Sequence, residues 1–139
     1  MVILPIIQKK GVNMKLLVVD DSSVIRKVIK AAADMLKMEV VEAQDGIEAL
    51  EVLASVYKEI DLILLDWNMP EMSGYDVLIK IKNYDMYKHI PVMMVTTEGQ
   101  QINIVAAIKA GASNYLVKPF TVEELESKIL ECLGKGDNV

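Results

Sequence analysis

A single cysteine, Cys132, stands in 139 residues, so neither an internal disulfide nor a cysteine metal site can form, and the chain suits a reducing compartment. Cys132 itself reads as a thiol packed along a helix. Histidine is as scarce, and the lone His89 makes a transition-metal site a poor reading. Seven glycines and four prolines beside 25% charged residues exclude a disordered tail and describe a globular domain. Apolar runs stay near six residues, as in Val2 to Ile7 around Pro5, against about 20 for a spanning helix, so no membrane insertion is expected. Positive charge is in deficit, with 15 basic against 20 acidic residues. No basic patch offsets it, which argues against a nucleic acid partner.

What is present divides the chain unevenly. In residues 1–13 the apolar segment precedes Lys9 and Lys10, the reverse of a secretory signal, and Gly11 and Asn13 break the pattern before Met14. These residues are read as a dispensable extension, 14–134 as one domain and 135–139 as a tail. Without the two lysines the remaining chain carries a net charge of -7.

From Met14 onward, short β-branched runs alternate with stretches of helical period. The strands are expected at Lys15 to Val19, Met38 to Ala43, Asp61 to Leu65, Ile90 to Val95 and Tyr115 to Val117. The near-continuous apolar character of the third suits a parallel strand buried on both faces. Between them, Val24, Ile25, Val28, Ile29, Ala32 and Leu36 recur at helical spacing, as do Ala49, Leu50, Leu53 and Tyr57, then Val77, Leu78 and Ile81. Asp45-Gly46 reads as a turn. Ser22 or Ser23 caps the first helix, Gly111 ends the helix from Gly99 to Ala110, and Thr121 with Glu124 forms a capping box on the last. Five strands each followed by a helix predict a doubly wound α/β fold with a parallel sheet.

In such a sheet, ligands sit beyond the carboxyl ends of the strands. The residues there are Asp20, Asp21, Asp66, Thr96 and Lys118. Any one of the acids alone would serve as a helix cap. Three carboxylates brought together repel one another, and a hard divalent cation with oxygen ligands relieves that repulsion, magnesium being the natural candidate. Magnesium shares phosphate oxygens readily, so the cluster suggests phosphoryl chemistry, with an Asp as acceptor and Lys118 and Thr96 holding phosphoryl oxygens.

The segments LLVVDDS (16–22), LILLDWNMPEMSG (62–74), VTTEG (95–99) and AGASNYLVKPFT (110–121) together resemble the receiver domain of response regulators over roughly 14–134. Within that family the chain is most similar to the CheY-like stand-alone chemotaxis regulators. The resemblance implies a flavodoxin-like three-layer sandwich with strand order 2-1-3-4-5. It also implies a phosphorylation-activated switch that accepts phosphate on Asp66 from a histidine kinase. By the same resemblance, Mg2+ would be held by Asp21, Asp66 and the Asn68 backbone carbonyl, and by Asp20 through water. Lys118 would pair with the phosphoryl group ahead of a cis bond to Pro119. The protein would catalyse only its own phosphotransfer and reset, in the cytoplasm, without being a conventional enzyme.

For the switch, the resemblance implies that Thr96 turns toward the phosphoryl group and Tyr115 follows, altering the face made by the fourth helix (Gly99 to Ala110), the last strand (Tyr115 to Val117) and the last helix. Tyr115 alone would read as a ring half-buried at a sheet edge. On the helix from Gly99 to Ala110, Val105 and Ala106 are expected to face inward and Ile104 and Ile108 outward. With Tyr115, Val117 and Phe120 these isoleucines form a candidate docking patch for an output target, although aliphatics at this spacing also suit a core. Thr97 departs from the smaller residue common beside the switch hydroxyl, which narrows access for small phosphodonors. Asn68 and Glu98 flank the route of attacking water and fit a phosphatase partner. Trp67, the only tryptophan, follows Asp66 and should report metal binding by fluorescence. Arg26 and His89 carry no assignable chemistry, and the nine methionines read as core filler.

Two other chemistries fit less well. A magnesium-dependent phosphohydrolase with an Asp nucleophile needs a second acid two positions on, where Asn68 stands. A nucleotide or flavin module needs a glycine-rich loop after the first strand, where the chain reads DDSSVIR. A stand-alone receiver in a phosphorelay outside chemotaxis remains the alternative within the family. The last helix, ending near Leu133, leaves no room for an attached output domain, so partners are expected to dock non-covalently.

Overall fold

The computed structural model describes residues 8–9 and 12–134. Most of the extension, including Val2 to Ile7, and the tail 135–139 lie outside the described residues. A short antiparallel pair, β1 (Gln8–Lys9) and β2 (Val12–Asn13), precedes the domain.

Five parallel strands follow: β3 (Lys15–Val19), β4 (Glu39–Ala43), β5 (Leu62–Leu65), β6 (Val92–Thr96) and β7 (Asn114–Val117), hydrogen-bonded in the order β4-β3-β5-β6-β7. Numbered within the sheet, this is the expected 2-1-3-4-5. The helices are α1 (Ser23–Met35), α2 (Gly46–Val56), α3 (Gly74–Lys82), α4 (Gln101–Lys109) and α5 (Val122–Gly134). Among the described residues no helix is long and apolar enough to cross a membrane.

The period of two along each strand divides the core between the sheet's faces. Leu16, Val18, Leu62, Leu64, Met93 and Val95 pack with Ile29, Ala33, Leu36, Leu125 and Ile129 of the α1 and α5 region. Leu17, Val19, Ile63, Leu65, Val92 and Met94 pack with Leu53, Val77, Leu78, Ile81 and Ala107 on the other side. Every residue of β5 and β6 is buried, as strands covered on both faces require. Truncating a side chain such as Leu64 to alanine there would cost about 2–5 kcal/mol.

Local chemistry sets the helix ends. The Ser22 hydroxyl accepts from the Ile25 N–H at 3.2 Å, and Ser73 caps α3 through the Asp76 N–H. Thr121 and Glu124 exchange bonds of 3.0 and 2.8 Å, completing the capping box. Asp45-Gly46, expected as a turn, is instead a helix start, because the Asp45 carboxylate accepts from the Glu48 N–H at 2.7 Å. At the C-terminus of α4, Gly111 adopts φ +115 while its N–H and that of Ala112 bond to the carbonyls of Ile108 and Ala107. The same closure ends α1 with Lys37 at φ 60, and there the Met38 N–H bonds to the Ala33 carbonyl. That bond explains why β4 begins at Glu39 and not at Met38.

On α4 the inward residue is Ala107, fully buried, whereas Val105 is 37% exposed. This corrects the expectation for Val105. Two residues along a helix turn by about 200°, so a helix that seats Ala107 against the sheet must turn Val105 outward. Ile108 is exposed, Ile104 is half-buried, and Ile102, not anticipated, is the most open apolar side chain of the helix at 74%.

Candidate functional site

The carboxyl ends of β3 and β5 deliver Asp20 and Asp66, both buried, and the next residue after Asp20 is the exposed Asp21. The three carboxylates offer oxygen atoms that all lie within 4.8 Å of one another. An all-oxygen donor set of this kind suits a hard divalent cation. Lys118, following β7, donates to Asp20 Oδ2 at 2.7 Å and approaches Asp66 Oδ2 at 3.4 Å. Its peptide bond to Pro119 is cis.

The remaining partners of the two buried acids are backbone groups. The Ser22 N–H donates to Asp20 Oδ1 at 2.9 Å, and the Asn68 N–H lies 3.4 Å from Asp66 Oδ1. Burial pushes the Asp20 carboxyl above its ordinary value, and the Asp66 charge adds to the effect; the bonds from Lys118 and Ser22 pull the other way without cancelling it. Arg26 was expected to carry no chemistry, but its guanidinium donates to the Asp20 carbonyl at 2.6 Å and to Glu42 at 2.8 Å. It therefore ties the acidic loop to β4. Its position in the first turn of α1, four residues after Ser22, was the signal available in the sequence.

Gly74 closes the loop after β5. Its N–H donates to the Trp67 carbonyl at 2.7 Å, and a β-carbon placed there would lie 2.7 Å from the Asp66 carbonyl carbon and 2.9 Å from Trp67 Cα. Only glycine allows this approach. Trp67 then stacks on Tyr75, with ring centroids 5.0 Å apart.

Thr96, at the end of β6, is fully buried and its hydroxyl accepts from the Glu98 N–H at 3.2 Å. The half-buried Tyr115 donates its hydroxyl to the Glu98 carbonyl. Burial, together with the charges of Glu98 and Asp66, pushes the Tyr115 phenol up to about 12. The Glu98 carboxylate accepts from Asn103 Nδ2 on α4 at 2.8 Å. Glu98 thus touches Thr96, Tyr115 and α4 at once.

Of the expected docking patch, Ile108 and Val117 are exposed and Tyr115 is half-buried. Phe120 does not join them. It packs with the α1 and α5 side of the core and lines a groove of about 530 Å³ with Ile25, Val28, Thr97, Lys118 and Pro119. The turn made at Pro119 carries the Phe120 ring past the end of β7 to the face opposite α4.

A doubly wound sheet with three acids, a buried hydroxyl and a lysine gathered at its strand ends is an arrangement suited to phosphoryl chemistry. The chain belongs to the response regulator receiver domain family, whose model matches residues 16–130. It is 46% identical to the chemotaxis protein CheY1 of Helicobacter pylori over 125 residues, 89% of this chain and 100% of that one. It is 44% identical to a chemotaxis protein CheY homolog of Campylobacter jejuni over 124 residues, 88% of this chain and 95% of the other. Among solved structures, Vibrio cholerae CheY4 superposes with a TM-score of 0.80 at 34% identity, covering 86% of this chain and 98% of that one. CheY from a Borrelia burgdorferi CheX-CheY-BeF3-Mg+2 complex superposes at 0.83 with 27% identity, covering 87% and 90%.

Proposed function

We propose that this receiver is a cytoplasmic chemotaxis regulator that takes a phosphoryl group onto Asp66 from a histidine kinase and thereby changes its affinity for an output target. The observation that carries the reading is Lys118 Nζ standing between the buried carboxylates of Asp20 and Asp66, at 2.7 and 3.4 Å. The names of the chemotaxis relatives support the pathway.

In the transfer, an Asp66 carboxylate oxygen forms a bond to phosphorus as the bond to the donor's imidazole nitrogen breaks, and the released imidazole takes up a proton. Reset is attack by water on the same phosphorus, which breaks the acyl phosphate bond and frees inorganic phosphate. Magnesium, when bound, neutralises charge on the phosphoryl oxygens. Asp21, Asp66 and the Asn68 carbonyl would hold it, with Asp20 acting through water. The donor set fits because all of it is oxygen and three carboxylates offer more negative charge than Lys118 balances. Lys118 supplies a fixed positive charge for the phosphoryl group, and the Thr96 hydroxyl supplies a donor. Once phosphoryl oxygens are present, Thr96 gains by turning toward them, and its bond with Glu98 passes the change to Tyr115 and to the face of α4, β7 and α5. A phosphatase partner that reaches the water route would do so past Asn68 and Glu98.

The test is labelling by acetyl phosphate with magnesium. Wild type is expected to take one alkali-labile, hydroxylamine-sensitive label, and Asp66→Asn none. Normal labelling of Asp66→Asn overturns the assignment.

A further inference from the structure

Four of the five helices in the sheet domain start with a side-chain cap: Ser22, Asp45, Ser73 and Thr121. The N-cap residue of α4, Gln100, makes no such bond. The first turn of this helix is tied down differently, by Asn103 Nδ2 donating to Glu98 Oε2 at 2.8 Å. Asn103 precedes Ala107 by four residues, which puts it on the stripe of α4 that faces the sheet. Both members of the pair are half-buried, so the bond is shielded in part from water.

The Glu98 backbone is held independently, its N–H on Thr96 and its carbonyl on Tyr115. Only the side chain depends on Asn103. Thr96, which the Glu98 N–H caps, ends β6 directly beside β5, the strand that delivers Asp66, so the Glu98 side chain springs from the rim of the same strand-end site. A phosphodonor entering that site is an anion approaching three carboxylates. A fourth carboxylate free to swing over the entrance would raise the barrier further.

We infer that Asn103 is a positioning residue that draws the Glu98 carboxylate toward α4 and away from the path of anionic phosphodonors. The inference rests on Asp66 being the phosphoacceptor. It adds that a side chain on α4 takes part in governing donor entry.

The test compares initial rates of Asp66 labelling by acetyl phosphate, below saturation, in Asn103→Ala and in the nearly isosteric, donor-free Asn103→Leu. Each rate is measured in the natural background and with Glu98→Gln, and circular dichroism confirms folding. With Glu98 present, either substitution is expected to slow labelling by about fivefold at low salt, the loss shrinking as salt is raised. With Gln at 98, neither is expected to matter. Equal slowing in both backgrounds would assign Asn103 a merely structural part, and unchanged rates in the natural background would deny it any part; either overturns the inference alone. A wild-type chain that takes no label either from acetyl phosphate or from a phosphohistidine donor overturns the phosphoacceptor reading and this one with it.

Discussion

Lys118 reaches across 98 positions of chain to place its ammonium 2.7 Å from Asp20, closer than the 3.4 Å that separates it from Asp66. Even so, burial keeps the Asp20 carboxyl above its ordinary 3.8. A carboxyl that binds its proton more tightly in the folded state contributes stability below its unfolded pKa and loses it as pH rises through the raised folded value. Asp20→Asn is therefore expected to gain on wild type from pH 4 upward, reaching about 1 kcal/mol at neutral pH in chelator. Urea unfolding at the two pH values measures this. A variant less stable than wild type at neutral pH would mean that the lysine bond outweighs burial.

Trp67 provides an optical readout of the acidic cluster, since it adjoins Asp66 and stacks on Tyr75. Magnesium is expected to shift its emission and EDTA to restore it, while Asp21→Asn weakens the response by at least tenfold in concentration. Calorimetric binding of magnesium with no change in emission would separate the ring from the site; no binding by either method would remove the ion from the mechanism.

Gly74→Ala sets a methyl group against the Asp66 carbonyl. The loop carrying Trp67 and Asn68 must then move, with an expected loss of about 2 kcal/mol and slower labelling of Asp66. An unaltered unfolding midpoint would contradict the close approach.

Lys37→Gly should have the opposite effect. Lys37 adopts φ 60 at the end of α1 remote from the strand carboxyl ends, so glycine relieves backbone strain of about 1 kcal/mol while labelling stays unchanged. Thermal unfolding decides, and a lowered midpoint would count against it.

Ile108→Glu tests the exposed face of α4. Labelling of Asp66 is expected to proceed at the wild-type rate, while binding to the output target, measured with beryllofluoride and magnesium as the activating mimic, falls by at least tenfold. Retained binding would move the docking surface elsewhere.

The order of strands and helices and the polar residues that end the strands are legible in the sequence, because both are local. A buried parallel strand shows as an apolar run, and its last residue shows as the polar one that stops it. Asp20, Asp21, Asp66, Thr96 and Lys118 were recognisable in this way, as was the capping box at Thr121. Contacts between distant segments carry no such local sign. Arg26 under the Asp20 carbonyl, Gly74 against Asp66, Glu98 shared by Thr96, Tyr115 and Asn103, and Phe120 turned toward α1 follow from how elements pack on the sheet. The rotation of α4 is the clearest case. Its composition is apolar nearly all round, so periodicity could not choose between Val105 and Ala107 as the inward residue. Packing chose the smaller one: Ala107 is fully buried in the core on that side of the sheet while Val105 turns outward, a close-packed interior accepting one of the two and not both.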